Sequence, residues 1–206
     1  MNETNLLTSS LAELKLTLTP KNCAKSWRYI ELLLKWNKVH NLTAALTSEE
    51  IMLKHFLDSL SIASYIKGPN VLDFGSGGGF PGIPLALALP QYQFTLLDSH
   101  GKKTRFLNQV VLELKLANIE VVTKRIEDFV PQKHFATIVT RATSSLHDII
   151  EKVRHVGDEN TAILAMKGKY PADELAMVKA PYEVHKIQLP ILNIERHLIK
   201  ISNCCE

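Results

Sequence analysis

The stretch Val71-Leu72-Asp73-Phe74-Gly75-Ser76-Gly77-Gly78-Gly79-Phe80-Pro81-Gly82 holds the residue types and spacing most able to do chemistry in this chain. It opens as a short apolar run, Val71 to Phe74, which predicts a buried strand interrupted by one acid, Asp73. Glycines follow at 75, 77, 78 and 79, and the apolar residues from Ile83 to Leu89 predict a helix. Strand, glycine turn and helix together aim backbone N–H groups and a helix N-terminus at a ligand. Glycine supplies the positive φ and the close approach that such a turn needs.

Two cofactors fit a turn of this kind. Gly77 to Gly82 satisfies the dinucleotide pattern G-x-G-x-x-G, with Asp98 following at about the 20-residue distance that fingerprint requires. Asp73, Gly75, Gly77 and Gly79 satisfy D-x-G-x-G-x-G, a pattern of S-adenosylmethionine enzymes. Asp73 separates the two. An acid just before the first glycine would repel a pyrophosphate, whereas beside a cationic amino-acid cofactor it can fix the methionyl ammonium or its water. A glycine-rich turn without a ligand is the remaining reading, and the acid at 98 weighs against it. The sequence points to the methyl donor.

The surrounding elements must position these residues. Residues 1–69 read as a helical N-terminal cap. Leu6, Leu7, Leu11, Leu14 and Leu18 recur at helical spacing, and Thr19-Pro20 starts a second helix carrying Trp27, Ile30, Leu33, Leu34 and Val39 to about His40. Thr47-Ser48-Glu49-Glu50 is a capping box for a third helix with Ile51, His55 and Leu57 inward, and Asp58-Ser59-Leu60 starts a fourth. Residues 70–206 read as one compact catalytic domain in which strands and helices alternate. That texture predicts an α/β, Rossmann-like, mostly parallel sheet with helices on both faces. The stretches 182–189 and 196–202 predict a hairpin that adds an antiparallel edge.

Ligands of open α/β sheets bind beyond the carboxyl ends of the strands. That rule selects the glycine turn, Asp98, the Ile126-Glu127 turn, Arg141 and Lys167. Asp98 is expected to accept hydrogen bonds from ribose hydroxyls; its alternative is an N-cap for the helix from residue 101. Ile126 and Glu127 would flank an adenine, and Arg141 follows the strand where a methyltransferase places its reacting residues. No acid or amide followed by Pro-Pro and an aromatic stands there to orient an exocyclic amine, since the chain reads Thr140-Arg141-Ala142-Thr143. Nor is a cysteine nucleophile near a strand end, the cysteines being Cys23, Cys204 and Cys205. A ring nitrogen with a free lone pair needs neither device.

Composition is permissive. The 206 residues are 46% hydrophobic and 22% charged with a formal net charge of +3, which allows a nucleic-acid partner without establishing one. No apolar run reaches the roughly 18 residues of a membrane span. Met1 to Ser10 lacks the pattern of a signal peptide, so a cytoplasmic protein is expected; the spacing of Cys23, Cys204 and Cys205 makes no zinc site, and the expectation is a metal-free monomer.

A longer series of residues matches a known family. Trp36-Asn37-Lys38, Asn41-Leu42-Thr43, His55-Phe56-Leu57-Asp58-Ser59, Asp73 to Pro84, Leu97-Asp98-Ser99, Lys102-Lys103, Arg105-Phe106-Leu107, Arg141-Ala142, Lys167-Gly168 and Glu195-Arg196-His197-Leu198 occur in order. In these the chain resembles the bacterial small-subunit ribosomal RNA methyltransferase G family, also called glucose-inhibited division protein B. That family methylates N7 of a guanine in the decoding-region loop. The resemblance implies cofactor contacts at Gly75, Phe80, Ile126, Glu127 and Arg141, and a ribosomal RNA path along Lys102, Lys103, Arg125, Lys167 and Arg196. Ala136 departs from the Asp that relatives usually carry. A small-molecule methyltransferase and, on Gly77 to Gly82 alone, an NAD-dependent oxidoreductase are the competing readings.

Overall fold

The computed structural model of the chain describes residues 3–141, 144–188 and 195–202; Ala142, Thr143, Cys204, Cys205 and the side chain of Leu6 lie outside the described residues. Strands β1 (Asn70–Phe74), β2 (Gln93–Asp98), β3 (Ile119–Thr123), β4 (Thr137–Thr140), β5 (Ala162–Lys167), β6 (Tyr182–Ile187) and β7 (Arg196–Ile201) form one sheet ordered β3-β2-β1-β4-β5-β7-β6. The first five run parallel, and β7 pairs antiparallel with both β5 and β6. The order reverses between β1 and β4, where the carboxyl ends of neighbouring strands open a crevice.

Side-chain alternation assigns the two faces of the sheet. Leu72, Ile138, Ile163 and Ile199 pack with α7 (Leu146–Val153) and with Ile126 and Phe129 on one side. Val71, Phe94, Leu96, Val139 and Leu164 face α5 (Gly82–Ala88) and the cap on the other, and α6 (Gly101–Leu114) joins that side through Phe106, Leu107 and Val110. All four residues of β4 are buried, as a central parallel strand covered on both faces requires.

The cap comprises α1 (Glu3–Glu13), α2 (Pro20–His40), α3 (Ser48–Ile51), a π-helical segment (Met52–Leu57) and α4 (Asp58–Leu60). Thr19 caps α2 by accepting from the Asn22 N–H at 3.2 Å, and Thr47 caps α3 by accepting from Glu50 at 3.1 Å. The returning bond of that second cap goes from the Leu46 N–H to Glu50 Oε2, one residue earlier than a standard capping box. Two cap expectations need correction. The first helix stops before Leu14, because Lys15 turns left-handed at φ 55°. Val39 lies on α2 as expected but is 75% exposed, so it takes no part in the apolar face. Asp58 starts no separate helix: the chain runs from Ser48 to Leu60 without a break, widening at the π-helical turn.

The cap packs directly on the sheet. Leu7, Leu33, Ile51 and Phe56 share one core with Phe80, Ile83, Leu96 and Phe106. Tyr29, fully buried on α2, donates its hydroxyl to the Gly78 carbonyl at 2.6 Å. Asn22 donates to the Leu87 carbonyl at the end of α5 at 2.8 Å. Helix α2 is therefore the floor of the glycine turn.

Candidate active site

The turn is bound to β2 by its own main chain. The N–H groups of Gly75 and Ser76 both donate to the Leu97 carbonyl, at 2.9 and 3.1 Å. Gly75, Gly77 and Gly79 lie at φ 76°, 56° and 100°, where an L side chain is strained. Asp73 departs from the sequence expectation. It shares the α5 face with Val71, is fully buried behind the turn, and accepts from the Gly82 N–H through Oδ2 at 2.9 Å. Its Oδ1 is buried without a hydrogen-bond partner, and burial pushes the carboxyl up to about 7.

A cavity of about 380 Å³ opens beyond the carboxyl ends of β1, β2 and β4, lined among others by Phe74, Gly75, Asp98, Ile126, Glu127 and Arg141. The topology brings these candidates together from four separate loops. Asp98, 5% exposed, holds the walls of the cavity: Oδ2 accepts from the Gly77 N–H at 3.0 Å and Oδ1 from the His100 N–H at 2.9 Å. It does not cap α6, whose N-cap is His100. Glu127 is exposed on a short 3-10 turn, while Ile126 lines the cavity from a core position at 4% exposure. Lys103 and Arg125 line this same cavity, Lys103 lying 3.7 Å from Asp98, and Lys102 is exposed one residue before Lys103.

A second cavity, of about 560 Å³, adjoins the first at Arg141 and is lined by Lys54, His55, Asp58, Met166, Lys167, Gly168 and Arg196. The Arg141 guanidinium lies 5.1 Å from the centre of the Phe80 ring and 3.4 Å from Asp58 Oδ2. Phe80 is 5% exposed and packs against Tyr29 and His55, so it acts as a platform under Arg141 and does not line the first cavity. Arg196 donates from Nε to Asp58 Oδ1 at 3.0 Å. Lys167 corrects its expected RNA role: with its side chain 12% exposed, the ammonium is taken up by both Glu174 oxygens, at 2.8 and 3.0 Å, and by the Ser144 carbonyl. His55 and Asp58 do not pair with each other. His55 meets Thr43 Oγ1 at 3.2 Å, and Asp58 reaches across to the strand ends.

Burial, aided by the Arg141 and Arg196 charges, lowers the His55 pKa to about 4. The unfolded imidazole takes up its proton near 6.5, so between pH 6.5 and 4 the unfolded chain binds more protons. This contribution to stability is complete above 6.5 and is lost as pH falls toward 4. His55→Gln is therefore expected to lose less Tm than the unsubstituted chain between pH 7 and pH 4.5. Asp73 gives a slope of opposite sign but acts in both proteins. Thermal melts at the two pH values check the expectation, and equal losses would contradict it.

The sequence missed the buttress Tyr29 and the link from Asp58 to Arg141 and Arg196. Spacing gives no sign of either, since the partners lie 49, 83 and 138 residues apart.

Residues 22–199 match the family described as rRNA small subunit methyltransferase G. The chain belongs to that family. It is 48% identical over 192 residues to ribosomal RNA small subunit methyltransferase G of Ectopseudomonas mendocina, covering 91% of this chain and 90% of the relative. It is 52% identical over 175 residues to the Pseudomonas aeruginosa protein of the same name, covering 83% and 82%. Among solved structures, a SAM-dependent methyltransferase from Aquifex aeolicus superposes with TM-score 0.59 at 16% identity, covering 82% of this chain and 97% of that one. An M. jannaschii protein solved in complex with AdoMet superposes with TM-score 0.54 at 15% identity, covering 70% and 73%. At these identities the structures support the fold alone.

The turn of this rRNA small subunit methyltransferase G family member fits S-adenosylmethionine. The residues that face the first cavity suit it: the left-handed Gly75 leaves the main chain open at the end of β1, Asp98 places an acid at the wall and Ile126 an apolar side chain beside it, while Asp73 faces away and only braces the turn. Among the described residues no group of histidine, cysteine or acid side chains is arranged to hold a metal, and no helix is long and apolar enough to cross a membrane.

Proposed function

We propose that this chain transfers a methyl group from S-adenosylmethionine to N7 of a guanine in the decoding-region loop of small-subunit ribosomal RNA. The observation that carries the reading is the meeting of two cavities at Arg141, one under the glycine turn and one open beside the cap. When bound, S-adenosylmethionine supplies a sulfonium methyl group that a nucleophile can displace. Gly75, Asp98, Ile126 and Glu127 would hold it from the first cavity, with Asp73 supporting the turn from behind. Guanine N7 carries its lone pair in the ring plane without a proton, so no general base is required. His55, the histidine in the second cavity, is held neutral near pH 7 by its lowered pKa. What the site must supply is alignment and exclusion of water. Lys102, Lys103, Arg125 and Arg196 are offered as phosphate contacts. Lys167 is not, because Glu174 neutralises it.

Isothermal titration is expected to show binding of S-adenosylmethionine or its demethylated product and none of NAD; heat with NAD alone would overturn the cofactor assignment. Asp98→Ala should weaken that binding by about 1.5–3 kcal/mol for each lost hydrogen bond to the carboxylate. Unchanged affinity would reduce Asp98 to a clasp between the turn and His100.

RNA binding, by contrast, should depend on salt. If Lys102, Lys103, Arg125 and Arg196 meet phosphates, log affinity falls with log salt by roughly 0.7–0.9 per contact. Filter binding or fluorescence anisotropy across a salt series measures the slope. A slope near zero would favour the small-molecule reading.

A further inference from the structure

The second cavity contains an ion-pair arrangement that nothing in the cofactor site requires. Its two lysines each have their own acid, Lys54 with Glu50 at 2.8 Å and Lys167 with Glu174 at 2.8 Å. Its two arginines share one. Asp58, 2% exposed, gives Oδ1 to Arg196 at 3.0 Å and Oδ2 to Arg141 at 3.4 Å. Three remote parts of the chain meet there: the end of the π-helical turn, the residue after β4, and the first residue of β7. Among the described residues the count leaves one positive charge in the mouth without an acid of its own, which matches one phosphodiester. Other contacts fix each guanidinium further. Arg141 lies over the Phe80 ring, and Arg196 Nη1 donates to the Glu195 carbonyl at 3.0 Å. The side chains remain 25% and 24% exposed, so their remaining N–H groups face the cavity.

We propose that Asp58 is the positioning residue of the acceptor side, one buried carboxylate that sets the spacing and tilt of Arg141 and Arg196 for the phosphate and base edge of an unpaired nucleotide. This inference rests on the reading above, in which the second cavity receives the acceptor. A carboxylate suits the task because its two oxygens accept from two guanidiniums at once and its charge strengthens both bonds. It also lowers the net charge of the mouth, so Asp58 works against mere attraction of RNA and in favour of alignment. That opposition separates the proposal from a simple electrostatic or structural role.

The test uses Asp58→Asn in the full chain, with isolated small ribosomal subunits as substrate and S-adenosylmethionine titrated separately. The asparagine keeps the shape and one acceptor but turns a donor toward the other guanidinium and adds one net positive charge to the mouth. The expected result is a kcat lowered tenfold or more, a KM for subunits unchanged or lower, and a Kd for S-adenosylmethionine within about twofold. A kcat within threefold of the unsubstituted chain, or a raised KM with unchanged kcat, would overturn the proposal. If Asp58→Asn does not fold, Arg196→Gln removes one arm from the other side and must show the same fall in kcat with cofactor binding retained. Where both variants fold, their effects on kcat should be non-additive, because each breaks the same arrangement, and strict additivity would overturn the proposal. An unsubstituted chain that binds S-adenosylmethionine but methylates no subunit would instead remove the functional reading itself.

Discussion

Arg141→Ala is expected to lower methyl transfer to isolated small subunits by a hundredfold or more, about 2.7 kcal/mol or more of transition-state stabilisation. The residue borders both cavities and follows β4, where the proposed donor and acceptor sites adjoin. Its guanidinium can contact the cofactor or donate to guanine O6 while leaving N7 unbonded, as the attacking electrons require. The cost to folding should be smaller. Asp58 retains its shorter bond, the one to Arg196 at 3.0 Å, and Phe80 loses only a partner above its ring. Methyl transfer and thermal melting on the same preparation decide the matter. A variant within threefold of the unsubstituted rate would leave Arg141 a partly exposed arginine paired with Asp58.

The second large effect concerns folding. Gly82→Ala is expected to destabilise the chain by about 3 kcal/mol, at the upper end of overpacking costs. A Cβ there would sit 2.2 Å from Leu96 Cδ2, 2.5 Å from Asp73 Oδ2 and 3.1 Å from Asp73 Cβ. The Asp73 carboxyl is fully buried and bonded to the Gly82 N–H, so it cannot swing away without losing that bond. Gly101→Ala, where nothing lies within 4 Å, is the control and should be neutral or slightly stabilising. Urea unfolding of both variants measures the difference. Equal midpoints would mean that Leu96 and Asp73 can yield together.

Much of the fold could be read locally. Thr19-Pro20 and Thr47 start the helices they were expected to start, because an N-cap is a contact across three residues. The alternation of short apolar strands with helices gives the parallel sheet, and its pairs confirm an antiparallel edge at β7 and β6. Asp98 was placed correctly at the end of β2 and on the cavity wall. Asp73 shows where local reading ends. Its position in the motif says nothing of direction, whereas its register does: it lies two residues from Val71 and therefore turns toward α5, away from the cavity. The ion pairs of Lys167 with Glu174 and of Arg196 with Asp58 were out of reach of local reading for a related reason. Glu174 lies beyond the end of β5 in a separate helical turn and Asp58 lies 138 residues from Arg196, so in both cases the partner comes from another element of the fold.

The hydrogen bond from Tyr29 to the Gly78 carbonyl ties the glycine turn to a helix that lines neither the first nor the second cavity. Docking of α2 and the shape of the turn are thereby coupled through this contact. A ligand that binds only the closed turn holds α2 in place by mass action, stabilising it by RT ln(1 + [L]/Kd). The same relation runs backward: loosening α2 by a given free energy taxes cofactor affinity by as much, even from a site on the outer face of the helix. In this chain a methyl donor bound at the turn would add to the stability of N-terminal helices that line neither cavity.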